Sequence, residues 1–122
     1  MCLFINVSRH PDNKPIILDE ALKVFKYLVR NKKIFKPKYK TPYWDKCVPF
    51  LFGKCTLTSN MDGPEPGGKI RKGIHACVDS DYYMSQSYRE FDAIIPKGTK
   101  VYFGDNNDIV AEKLIIYKNK LK

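Results

Sequence analysis

Four clusters of turn-forming residues punctuate this chain and set where its elements end. Ser8-Arg9-His10-Pro11-Asp12-Asn13, residues 58–73, Pro96-Lys97-Gly98-Thr99 and Gly104-Asp105-Asn106-Asn107-Asp108 all hold residues that preset or tolerate turn dihedrals. The apolar runs between them are short and β-leaning: 2–7, 47–55, 74–78, 93–95, 101–103 and 109–117. The last three, spaced by two tight turns, are expected as strands of one antiparallel sheet. One helix is expected, 81–91, capped by Asp79 or Ser80, with Tyr83, Met84, Ser87, Tyr88 and Phe91 sharing a face.

Two segments resist a single assignment. In 19–31, Leu22, Phe25, Leu28 and Val29 make a helical stripe behind an Asp19 cap, whereas Phe25, Tyr27 and Val29 alternate with Lys26, Leu28 and Arg30 as in a strand. In 34–43, Ile34, Phe35, Pro37 and Tyr39 alternate with lysines, and Pro37 and Pro42 confine the run to a sheet edge or an extended loop. Residues 58–73 hold four of the seven glycines and two prolines, which predicts the longest loop, mobile and placed to cover a site. The fold class expected is α+β: a β-rich single domain over 1–122, with a mainly antiparallel sheet and one or two helices.

Composition supports one core and no more. At 122 residues, 43% hydrophobic and 13% aromatic, the chain has enough apolar surface to order itself around a single core. No apolar run nears the roughly 18–20 residues that span a bilayer, and Met1 to Asn13 lacks a cationic region ahead of its apolar stretch. The expectation is an intracellular, cytoplasmic protein with no membrane partner. Cys2, Cys47, Cys55 and Cys77 form no CxxC pair, and His10 and His75 stand at no zinc-ligand spacing from them. Reduced thiols and no metal are therefore expected.

Charge is what distinguishes the sequence. The net charge is +9, and residues 9–54 carry 12 basic against 4 acidic residues; 23–40 carry 8 basic residues and no acid. Such a surface attracts phosphate, nucleic acid or an acidic protein face. Tyr39, Tyr43 and Trp44 are interleaved with Lys36, Lys38, Lys40 and Lys46, pairing aromatic faces that stack on bases with ammonium groups that hold phosphates. The opposing assignment makes Tyr43 and Trp44 core anchors beside a solvated lysine rim. His75 joins the expected ligand-binding set as an imidazole next to the glycine-rich loop, although a histidine bonded to backbone explains it as well. Paired carboxylates, a nucleophile motif and a GK[ST] after the glycines are all missing, so a binding module without cofactor ranks above an enzyme.

Met1-Cys2-Leu3, Lys26-Tyr27-Leu28 with Thr41-Pro42-Tyr43, Gly73-Ile74-His75-Ala76, Ile94-Ile95-Pro96-Lys97-Gly98-Thr99 and Leu114-Ile115-Ile116 together resemble a set of small proteins of phages, prophages and gut bacteria. That resemblance implies a strand around Lys26 to Leu28 and an accessory, anti-defence role against a host target, such as a nucleotide signal, a nucleic acid or a nucleic-acid-binding protein. A second copy of the chain is a further candidate partner, and a structural virion component a further role. The C-terminal part is also similar to ADP-ribosyltransferases, in which a strand ending in Pro-Lys-Gly-Thr precedes one bearing a catalytic glutamate ahead of an apolar triplet. This implies an alternative enzyme using NAD, with His75 and Glu112 as its catalytic residues. Lys113 stands directly before the triplet here and Glu112 one position early, and a shift by one residue turns a strand side chain to the opposite face.

Overall fold

The computed structural model describes residues 3–30, 38–41 and 47–119. Its elements, in chain order, are β1 (Leu3–Phe4), β2 (Ile16–Ile17), β3 (Leu22–Arg30), β4 (Tyr39–Lys40), β5 (Cys47–Val48), β6 (Lys54–Thr58), β7 (Lys69–Ile70), β8 (Ile74–Cys77), α1 (Tyr82–Ser87), β9 (Arg89–Ile95), β10 (Lys100–Phe103), β11 (Asp108–Ala111) and β12 (Lys113–Tyr117). Every pairing is antiparallel. The main sheet runs β2-β10-β11-β8-β3-β9-β12-β6, with β4 and β5 branching from β3, and β1 pairs with β7 in a separate two-stranded sheet. The protein is thus strongly β-rich with one short helix among the described residues, and the α+β label fits it only loosely.

The ambiguous segment 19–31 is a strand. β3 pairs with β9 over seven consecutive positions, from Leu22↔Ile95 to Leu28↔Arg89. Its alternation turns Val24 and Leu28 toward Ala93, Ile95, Leu114 and Ile116 in the main core. The same ladder shortens the helix. Expected over 81–91, α1 stops at Ser87, and Tyr88 is already extended at φ −132° and ψ 162°. Arg89, Glu90 and Phe91 gain cross-strand partners in β9, whereas α1 buries none of its residues and so has no packing to extend it. Its cap is Asp81, whose carboxylate accepts from the Met84 N–H at 3.0 Å, one or two positions later than expected.

The C-terminal strands do lie in one antiparallel sheet, but two details differ from the sequence expectation. β9 and β10 are joined by the Pro96–Gly98 turn and yet are not neighbours, since β9 pairs with β3 and β12 while β10 pairs with β2 and β11. The run 109–117 is two strands that part at Glu112. There the backbone N–H reaches the Lys100 carbonyl at 3.3 Å and the carbonyl accepts from Ser59 N–H at 2.9 Å. The chain changes partners at this residue, and β10 and the end of β6 meet across it. Likewise 47–55 is broken by a tight hairpin at Leu51–Lys54.

Residues 58–73 do not form a free loop over a site. They contain β7, and Ile70 is fully buried against Leu3, Ile5, Tyr102 and Val110 in a second small core on the far face of β10 and β11. Gly73 ends this segment at φ +135°, where an added Cβ would lie 2.7 Å from Val110 Cγ2 and 2.9 Å from Met61 Cγ; only glycine fits.

β2 covers β10 only at Lys100 and Val101, which leaves the backbone groups of Phe103 on that edge without a strand partner. The N-terminal loop supplies both. Asn6 N–H donates to the Phe103 carbonyl at 2.8 Å, and Phe103 N–H donates to His10 Nε2 at 2.9 Å. His10 Nδ1 in turn donates to the Lys14 carbonyl at 2.9 Å, which fixes the neutral tautomer in a ring that is 1% exposed. The turn-forming cluster 8–13 therefore holds a buried structural histidine. Replacing His10 with Phe keeps an aromatic ring but leaves the Phe103 N–H unsatisfied, and is expected to lower stability by about 1–3 kcal/mol in urea denaturation. A change below about 0.5 kcal/mol would mean that the loop does not secure this edge.

Candidate functional site

The residues expected to bind a ligand do not converge on one described place. Lys36, Tyr43, Trp44 and Lys46 lie outside the described residues. Tyr39 is a correction. It is buried, with its ring 5.0 Å edge-on to Phe91 and 6.3 Å from Phe50, so it anchors the core and presents no face for a base to stack on. β4 takes this side chain inward because Tyr39 pairs with Arg30 at the end of β3. Lys38 next to it is exposed, with Nζ 5.5 Å from the centre of the Tyr39 ring. The Arg30↔Tyr39 and Val29↔Lys40 pairs thus fix Arg30, Lys38 and Lys40 together at one end of the sheet, where the chain leaves for residues 31–37 and returns from them.

His75 and Glu112 are not the walls of a cleft. β8 and β11 are direct neighbours, with Ile74 opposite Ala111 and His75 opposite Val110, so ladder hydrogen bonds close the place where the transferase resemblance needs an opening. The His75 ring is tied to backbone: Nε2 lies 3.0 Å from the Arg71 carbonyl. Burial, with Lys26 as a lesser contributor, lowers its pKa and favours the neutral ring. Two residues on, burial and then Asp81 and Asp108 push the Cys77 thiol up to about 11, which favours the protonated thiol near neutrality.

Sequence reasoning missed the most unusual charged group of this region, Lys26. Its alternation places it on the core face of β3, and its ammonium is buried, donating to the His75 carbonyl at 2.6 Å. The reason lies in a fork of the sheet. One edge of β3 pairs with β8 only at Phe25↔Cys77 and with β4 only from Val29 onward. The ammonium bonds a β8 carbonyl in the interval that no strand pairing fills. On the opposite face, Tyr27 links the same strand to the helix entrance, donating to Glu90 Oε2 at 2.6 Å and accepting from Asp81 N–H at 2.8 Å. Burial and then the Glu90 contact raise the Tyr27 hydroxyl to about 12.

Among the described residues no disulfide joins Cys47, Cys55 or Cys77, and no group of three or more His, Cys, Asp or Glu is placed to bind a metal ion. No described helix is long and apolar enough to cross a membrane. No protein-family model matches the chain, and no curated protein or solved structure compared with it matches either.

Burial lowers the Lys26 pKa from 10.5 to about 8, so between those values the unfolded chain binds more protons than the folded one and Lys26 favours the fold increasingly as pH rises. Cys77 and Tyr27, whose pKa values are raised, act in the opposite sense at higher pH. A comparison with Lys26→Met isolates the lysine. The stability difference, wild type minus variant, is expected to move toward the wild type by about 1–3 kcal/mol between about pH 7 and 10. A difference that does not vary with pH would show that Lys26 is not buried as an ammonium.

Proposed function

We propose that this is a non-catalytic binding protein that takes a phosphate-bearing or acidic target on the basic surface around the β3–β4 end. The targets of that chemistry are a nucleotide signal, a nucleic acid or an acidic face of a host nucleic-acid-binding protein. The observation that carries this reading is the strand pairing that sets Arg30, Lys38 and Lys40 at one sheet end, at the two ends of the stretch 31–37, within an acid-free run from 23 to 40 of whose 8 basic residues Lys26 is buried and Lys23 pairs with Asp92. Like charges gathered at one place repel one another, and a bound polyanion relieves that repulsion while releasing counterions. The commitment of His75 to backbone and the protonated state of Cys77 support binding over catalysis. The resemblance to phage and prophage proteins supports an accessory, anti-defence role inside a host cell. With Tyr39 in the core, Tyr43 and Trp44 are the aromatic residues of the sequence cluster left for stacking.

Titration against single-stranded DNA, single-stranded RNA and free nucleotides at several salt concentrations tests this reading. If about four phosphates are engaged, log affinity for a single strand falls with log salt at a slope near −2.8, taking about −0.7 per contact. The double variant Lys36→Glu/Lys38→Glu is expected to weaken binding and flatten that slope. Trp44→Ala is expected to weaken binding by about 1–3 kcal/mol and leave the slope in place, because stacking releases no counterions. A wild-type protein that binds none of these polyanions, and no acidic protein, tighter than about millimolar at low salt would refute the proposal.

A further inference from the structure

The most exposed large apolar side chain among the described residues, Phe52, stands on a strained turn beside a second exposed one, Leu51. Leu51 is 68% exposed and Phe52 103%, at the tip of the hairpin that leads into β6. Leu51 and Lys54 exchange both backbone hydrogen bonds, N–H to carbonyl, at 2.9 and 3.2 Å, which makes Phe52 and Gly53 a two-residue turn. Phe52 has φ +54° and Gly53 φ +79°. Positive φ at both central positions is the type I′ pattern, whose first position normally takes Asn, Asp or Gly. A phenylalanine there meets its own backbone, and its ring gains no contact from the fold in exchange. The other non-glycine residues at positive φ, Asn13 and Asn107, are of the type that tolerates it. A bulky apolar residue held against both local preference and solvent marks a place where something outside the chain supplies the compensation.

The surroundings indicate what that is. Lys54 closes the turn, and Lys118 follows β12 and donates its backbone N–H to the Gly53 carbonyl at 2.9 Å; both lysines are exposed. Tyr117 pairs with Lys54 across the ladder. Neither 47–61 nor 113–119 contains a carboxylate, so the two segments that build the tip present an apolar pair flanked by cations and no acid of their own. A stable protein interface needs about 800 Å² from each partner. Two side chains on a turn offer a fraction of that area. A bilayer interface needs no more than an apolar tip that enters between headgroups while lysines stay at the phosphate level.

We propose that the Leu51-Phe52 hairpin tip docks the protein reversibly on a membrane surface rich in anionic phospholipid, with Lys54 and Lys118 meeting the headgroups. This departs from the sequence expectation of no membrane partner, which rested on the lack of a spanning segment; a tip that enters only the headgroup region needs none. It is independent of the β3–β4 reading, because the two surfaces share no residue.

Flotation with vesicles of phosphatidylcholine alone and of phosphatidylcholine containing about a third phosphatidylglycerol tests it. The wild type is expected to float with the anionic vesicles, less so at high salt, and not with the neutral ones. Phe52→Asn is expected to bind them at least about tenfold more weakly while its melting temperature holds or rises, since Asn suits the turn that Phe strains. Lys54→Glu/Lys118→Glu is expected to lose the preference for anionic lipid. A wild type that stays with the unbound fraction, or a Phe52→Asn variant that binds as the wild type does, overturns the proposal. So does a wild type that leaves the vesicles unbound and uses the tip to bind a purified acidic protein. None of these results bears on the polyanion titrations of the basic end.

Discussion

The seven-position ladder between β3 and β9 is the constraint around which the rest of the structure is arranged. It joins segments more than sixty residues apart in the chain, so its closure entropy is recovered only when the flanking strands also pair. One edge of this ribbon receives β12 and then β6; the other forks toward β8 and toward β4. The inward positions along the ladder, Val24, Leu28, Phe91, Ala93 and Ile95, form the floor of the main core. The length of α1 is a consequence of it too, because residues from Arg89 onward gain more as ladder partners than as a further helical turn.

Where strand pairing runs out, single side chains complete the hydrogen bonding. The His10 ring accepts from Phe103 N–H where β2 ends, Lys26 serves His75 in the fork beside β3, and Asn107 serves the exit of β8 by accepting from Asp79 N–H at 2.7 Å. Each is a polar group brought inward or across strands because an unpartnered backbone group costs more than the desolvation of the side chain that satisfies it. His10 and Lys26 therefore read as structural polar residues. The two cationic places proposed for binding are on the surface, at the β3–β4 end and around the Leu51-Phe52 tip, and they differ in kind. One is cationic with neighbouring aromatics in sequence; the other is apolar with cations around it.

The candidate site was legible in the sequence only as a region. The acid-free run 23–40 can be counted without coordinates, and so can the interleaving of Tyr39 with Lys38 and Lys40. That Tyr39 turns into the core against Phe91 depends on its pairing with Arg30, a register set by β3. No local signal carries that information, since the same alternating pattern is satisfied by either face. Phe52 illustrates the converse. The run 47–55 reads as a strand by composition, and the hairpin within it lacks the Asn-Gly or Asp-Gly that normally announces such a turn.

What the sequence determined by itself was the β-rich class, the turns at 96–99 and 104–108, and the uneven charge, because turn chemistry, alternation and net charge are local or additive properties. The tertiary structure alone decided which strands became neighbours, that 109–117 divides at Glu112, that α1 ends at Ser87, and which of the lysines and histidines are buried. The physical reason is common to all four. Strand order and register are chosen by the simultaneous burial of side chains from distant segments and by the need to pair every backbone group at the edges, and neither condition can be evaluated within a short window of sequence.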